Sequence, residues 1–503
     1  MLDLASVYCY GYMATPIVEA CQRRGLFELL DIREFRERTG LIRELKANAG
    51  YFTVALEALE SLGWLEKNSD DAYRLTSKVD RYPERGLTEL YAMEPEQLIR
   101  QKSHARTLSE KIEQVFLRSE VGESASPDPA RGSIIVPLAV ALRGTDAEDC
   151  CENLDRLDPR LSQTIIELFI QQGWLTVDKA ELTPSGKALL QCLAFNVAVS
   201  YRPVLHAIGE LLFGDPAHVF NERCSEKSVV TSHSLRRKNL GQEVFVEDLQ
   251  REIVEIFNRE PSKQQPQAII HVHCGDGAVL DEIARIIGSR TARGRHLAHM
   301  PVRLVGVDNN WQVLKDAAKT LAGLQHHTLF GDVNEPDKLR LALEQAGVTA
   351  EQEALHLRIL IDHLITVDAK QPVSAALTVL AADQPVYYVD QEGRLVDAVT
   401  VLSCWQRHLR ALAHSVHDSR LLIVEAHAAP SQLIDRQSEK FDCLHCDWIH
   451  RLSHEYLIGA EAFITLAASV GLFNDDCVKR YPKTSDPCRI SMHSFRKRDY
   501  IIR

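Results

Sequence analysis

The stretch IIHVHCGDGAVL, residues 269–280, reads as a buried strand that runs into a glycine turn. The turn is Gly275-Asp276-Gly277, where glycine lets a backbone approach a nucleotide-like ligand closely. Two histidines interrupt it. His271 stands where such a turn normally carries an acid, and His273 where it carries another glycine.

From about residue 266 the chain repeats strand, turn and helix. AIIHVHC precedes AVLDEIARIIGS, RLVGVDNN precedes WQVLKDAAKTLAGL, and HHTLFGDVNEP precedes DKLRLALEQAGV. LHLRILIDHL and RLLIVEAHA read as two more buried strands, and RISMHSFRKRDYIIR alternates like a strand. Short apolar strands between amphipathic helices predict a doubly wound α/β domain with a parallel sheet covered on both faces. Ligands of such sheets sit at the carboxyl ends of the strands. Three strand ends carry the expected groups in order: the turn with Gly275, Asp276 and Gly277, then Asp308 in VGVDNN, then Asp332 in FGDV. A carboxylate at Asp308 can accept both ribose hydroxyls, and one at Asp332 can meet an adenine amino group. A dinucleotide fold is disfavoured, because Leu280 replaces the third glycine of G-x-G-x-x-G.

The first two hundred residues hold a repeat. FTVALEALESLGWLEKNSDDAYRLTSKV (52–79) and SQTIIELFIQQGWLTVDKAELTPSGKAL (162–189) share a helix, Gly-Trp-Leu, a polar excursion and Leu-Thr. This predicts two winged-helix-like α+β units, one over 1–118 and one over 134–220, joined by a Ser/Pro/Gly-rich linker at 119–133. The domain with the cofactor turn then covers 221–503. A DNA-reading helix needs Arg or Lys. The helices before the wings carry none, only Glu57 and Glu60 in one and Glu167 in the other. The net charge of -12 also disfavours nucleic acid.

No apolar run of about 18 residues suggests a membrane span. The N-terminus lacks the pattern of an export signal, and twelve cysteines in 503 residues suit reduced thiols. A cytoplasmic protein is expected.

The glycine turn with Asp308 and Asp332 resembles a class I S-adenosylmethionine-dependent methyltransferase. GYMATPIVEACQRRGLFELL, the doubled winged helix, SYRPVLHAIGELLFG, LIVEAH and HCDWIHRLSHEYL are similar to one group within it. That group is the metal-dependent C-methyltransferase domains of polyketide synthase loading modules, of the apratoxin type, with their stand-alone relatives. The resemblance implies S-adenosyl-L-methionine as cofactor and methylation at the α-carbon of a malonyl-type group on an acyl carrier protein. It also implies a mononuclear iron or manganese site.

The residues offer such a site over 427–456. His427 ends a strand, Asp447 and His450 are three apart, and Glu455 follows. Imidazoles with carboxylates suit Fe or Mn. The family carries glutamine where Glu455 stands, which keeps an oxygen ligand but changes its charge. His427 and His450 are also candidate general bases. Asp362 and His363 follow the fourth strand, where substrate-contacting groups often sit; Asp362 alternatively caps a helix. Cys443, Cys446, His450 and His454 are spaced too tightly for a zinc finger, and Arg451 removes a zinc-protease motif. Two other readings stay open: a small-molecule O-methyltransferase, and a non-methylating scaffold or partner subunit of the same fold. A dimer is also left open.

Overall fold

The computed structural model describes residues 4–79, 86–117, 129–143, 154–177, 181–192, 194–220, 244–260, 264–348, 354–370, 372–385, 387–416, 419–429, 447–476, 478–483 and 487–497. The chain divides into two compact units: Met1–Val230 with Gln391–Leu395 and Arg436–Ser453, and Thr231–Asp390 with Val396–Asp435 and His454–Arg503.

The N-terminal unit is mainly helical. Its first wing is a three-stranded sheet in the order Arg36–Glu37, Ala72–Leu75, Leu65–Lys67. The second wing is reduced, among the described residues, to one antiparallel bridge between Leu175 and Leu182. The helix before the first wing, Ala49–Ser61, buries Tyr51, Phe52, Val54, Ala55, Leu56 and Leu59. Its Glu57 pairs with Arg451. A helix spent on packing in this way has little face left for a groove.

The C-terminal unit is built on a mixed sheet. Its strands are β1 (Ala268–Val272), β2 (Arg303–Asp308), β3 (His326–Phe330), β4 (Ala354–Ile359), β5 (Arg420–Ala426), β6 (Leu472–Asn474), β7 (Lys479–Tyr481) and β8 (Ile490–Lys497). The order is β6-β8-β5-β4-β1-β2-β3, with β7 also on β8. The first five strands are parallel, as expected. β8 runs antiparallel to β5 and carries β6 and β7 antiparallel in turn. The terminal alternation in RISMHSFRK therefore belongs to an inserted antiparallel strand.

Alternate residues of one strand feed different cores, which is why these strands read as unbroken apolar runs. Ile269 and Leu304 pack with Leu280 and Ile283 of the helix α1 (Ala278–Arg290). Ile270 and Val305 pack on the other side with Leu339 and Leu343 of α3 (Pro336–Gln345), α2 being Trp311–Thr320. Along β5, Leu422 and Val424 join the first core. Leu421 and Ile423 join a third with Trp405 of α4 (Ala398–Ser415). Side-chain caps fix two of these helix starts. Asn310 accepts from the amides of Gln312 and Val313 at 2.8 and 3.3 Å, and Asp397 from Thr400 at 2.7 Å. Strand order reverses between β1 and β4, so the crevice lies at the end of β1.

Candidate functional site

At that crevice the chain leaves β1 through His273, whose φ is +61°. This is backbone that glycine adopts freely and a bulky residue rarely does. A histidine is thus held in a glycine-type conformation. Gly277, at φ +79°, opens α1, and a Cβ there would lie 3.2 Å from the Ala317 backbone. Asp276, one residue before that N-cap glycine, accepts the Ala278 amide at 3.1 Å.

Asp308 is buried under the turn. Its carboxylate accepts the amides of Gly275 at 3.3 Å and Asn310 at 3.0 Å, and His273 Nδ1 lies 3.6 Å away. Asp332 accepts both the amide and side-chain nitrogen of Asn334, at 2.8 and 3.2 Å. Asn334, which the sequence did not single out, also donates to Leu364 O at 3.2 Å and accepts from the Thr366 amide at 2.7 Å. It ties the loop after β3 to the loop after β4. A cleft of about 120 Å³ lies among His273, Asp308, Asp332, Asn334 and Ile361.

A second cluster stands at the ends of β4 and β5. Glu425 is wholly buried in β5 and accepts His363 Nδ1 at 2.6 Å, the Ala426 amide at 2.8 Å and the Asp362 amide at 2.8 Å. Burial alone would lower the His363 pKa. The Glu425 charge and hydrogen bond, with help from Glu455 and Asp362, outweigh it and raise the value to about 9. His363 is thus an imidazolium at neutral pH. Asp362 does not cap a helix. It accepts Arg358 Nε at 2.8 Å and His408 Nε2 at 2.8 Å, and Arg358 Nη2 stands at ion-pair distance, 2.6 Å. Burial opposes its charge, yet Arg358 and then His408 hold its pKa below the usual carboxylate range. Sequence reasoning missed Glu425, although an acid inside the apolar run LLIVEAH was the available signal.

The expected metal ligands are divided between the two compact units. His427 Nδ1 meets Ile458 O at 3.2 Å, and Nε2 meets Ser491 Oγ at 2.6 Å. Ser491 in turn meets His493 Nε2 at 2.6 Å. Burial, followed by the neighbouring His493, lowers the His427 pKa to about 3, so the ring is neutral. Both its nitrogens are committed to β8 and to the Ile458 carbonyl. His427 and Glu455 belong to the C-terminal unit, Asp447 and His450 to the N-terminal one. There Asp447 precedes the short helix Trp448–Leu452, and His450 Nδ1 bonds the Tyr201 hydroxyl at 2.9 Å. Among the described residues no three His, Cys, Asp or Glu side chains are grouped to hold a metal ion. The iron or manganese centre that the resemblance implied is not shown among the described residues. Cys443 and Cys446 lie outside the described residues.

A family model described as the AprA MT2-like domain matches residues 228–493, just over half of the chain. The chain belongs to the AprA MT2-like methyltransferase family. The AprA N-terminal domain model matches residues 1–67 and the AprA winged helix domain model residues 131–215, so the second of the two repeats carries the winged-helix match. None of the curated proteins matches the chain. Among solved structures, it is similar to the CurJ carbon methyltransferase, with 10% identity, TM-score 0.40, and 98% of this chain and 92% of that one covered. The citrinin polyketide synthase CMeT domain shows 11% identity and TM-score 0.40, with 98% and 89% covered. An O-methyltransferase family 2 protein from Planctomyces limnophilus shows 13% identity and TM-score 0.34, with 98% and 96% covered. Likenesses this distant do not carry an acceptor across to this AprA MT2-like chain. No described helix is long and apolar enough to cross a membrane.

Proposed function

We propose that this AprA MT2-like chain binds S-adenosyl-L-methionine over the ends of β1, β2 and β3. In this reading it methylates the α-carbon of a malonyl-type acyl group carried on an acyl carrier protein, and it binds no nucleic acid. One observation carries the reading: donor-type residues line one side of β1, while a buried His363–Glu425 pair stands on the other, at β4 and β5 of the same sheet. Asp308 has carboxylate lone pairs for ribose hydroxyls beyond the two amides it accepts. Asp332 is placed one strand further on, for the base. When bound, the sulfonium supplies an electrophilic methyl group.

His363, held charged by Glu425, can donate a hydrogen bond to an acyl oxygen as negative charge develops on it. Such stabilisation in a buried site is worth roughly 10²–10³ in rate per donor. We expect His363→Gln to slow transfer from labelled donor to malonyl- or methylmalonyl-carrier protein by about that factor, with donor affinity unchanged. Glu425→Gln removes the charge that raises the His363 pKa. The alkaline fall in rate, set near pH 9, should then move to lower pH. Full activity in His363→Gln would refute this role, and methyl recovered on oxygen would reassign the acceptor.

Donor binding has its own test. S-adenosylhomocysteine should bind the purified chain by calorimetry. Asp308→Ala should weaken it by about 2 kcal/mol, as lost charge-assisted hydrogen bonds do. No heat at millimolar ligand would end the donor-site reading.

A further inference from the structure

We propose that His273 sets the specificity of this cleft, so that an adenine nucleoside without an amino-acid tail binds at least as tightly as the full donor. The inference rests on reading the cleft as the donor site. Five observations support it.

The cleft is lined from β2 and β3 by Asp308 and Asp332, and it reaches β1 only at Val272 and His273. Gly275, Asp276 and Gly277 are not among its lining residues. Strand order places β1 beside β2 and β3 beyond, so a ligand anchored at Asp308 and Asp332 must extend across the end of β1 to reach His363. His273 stands on that line.

Its backbone keeps a glycine-type φ of +61°, so an imidazole has been added where the chain was shaped for none. That ring approaches Asp308 Oδ2 to 3.6 Å, next to the carboxylate proposed for the ribose. Finally, about 120 Å³ is well below the roughly 300–1,000 Å³ of small-molecule sites. The cleft opens on the nucleoside side, at Asp308 and Asp332, and meets the end of β1 at Val272 and His273. A full donor must push the ring aside; a nucleoside need not.

The experiment is calorimetry of the full chain with 5′-methylthioadenosine and with S-adenosylhomocysteine, on wild type, His273→Gly and His273→Asn. Both substitutions suit positive φ and keep the fold. Wild type should bind the nucleoside with affinity equal to or better than S-adenosylhomocysteine. His273→Gly should raise S-adenosylhomocysteine affinity by about tenfold or more, an amount worth about 1.4 kcal/mol, and leave the nucleoside within about threefold. His273→Asn should fall between. Wild type that prefers S-adenosylhomocysteine, with no gain in either variant, overturns the inference and leaves the donor site standing. Absence of binding by either ligand to any of the three proteins overturns both.

Discussion

Acidification from pH 7.5 to 5.5 is expected to remove about 6 kcal/mol of stability from the C-terminal unit. Five of its histidines are held neutral. Burial is the first cause for each, lowering His271, His427 and His493 to about 3 and His356 and His454 to about 4. Unfolded, each takes a proton near pH 6.5. Below that pH the unfolded state binds more protons than the folded one, so stability falls as pH falls. One unit below, each histidine costs between about 1 and 2 kcal/mol. The five costs, less the roughly 1 kcal/mol that His363 gains over the same interval, are comparable to the whole stability of an ordinary domain, about 5–15 kcal/mol.

His363 acts in the opposite sense. Its folded pKa is raised, so its contribution is complete below pH 6.5 and is lost as pH rises through about 9. That loss is on the order of 3 kcal/mol. The unit should therefore be most stable between about pH 6.5 and 8. Hydrogen exchange of the β1 and β5 amides across pH 5–9 measures this. His271→Leu should push the acid limb to lower pH. Neither of its ring nitrogens has a hydrogen-bond partner, and the ring is 1% exposed. Exchange rates in these strands that show no excess over intrinsic chemistry between pH 7.5 and 5.5 would sink the argument.

The same histidines show where sequence reading stops. The Gly275–Gly277 turn, Asp308 and Asp332 are legible because each lies within one strand–turn–helix unit, where spacing fixes position. The partner of His363 is not local. Glu425 lies 62 residues on, and only the pairing of β4 with β5 brings the two together. His427 reads as a strand-end residue aimed from the sheet edge. The antiparallel β8 delivers Ser491 to its Nε2, and no periodicity announces which strand will flank another. Asp447 and His450 do share a short helical segment, as their spacing implies. Their assignment to the other compact unit depends on packing across hundreds of residues, as the Glu57–Arg451 pair shows.

Arg358→Met should destabilise the C-terminal unit by about 3–5 kcal/mol, the usual result of stranding a buried charge. Arg358 and Asp362 are 2% and 0% exposed, and the guanidinium supplies one of the two hydrogen bonds to that carboxylate along with the opposing charge at 2.6 Å. Methionine replaces the stem's volume but none of the charge. Asp362 then either remains ionised with His408 alone or takes up a proton, and both states are worse than the native pair. Removing both charges, in Arg358→Met with Asp362→Leu, should recover most of the loss, because a buried pair and an apolar pair of similar size differ little. The effect also reaches the proposed chemistry. The Asp362 amide donates to Glu425, the carboxylate that holds His363, so a shift of this peptide disturbs the charged imidazole. Urea unfolding of the three proteins at pH 7, followed through exchange of β4 and β5, separates the two contributions. A single variant within 1 kcal/mol of wild type would show that Asp362 does not depend on Arg358. A double variant with restored stability but slow methyl transfer would place the catalytic cost in the Asp362–Glu425–His363 connection itself.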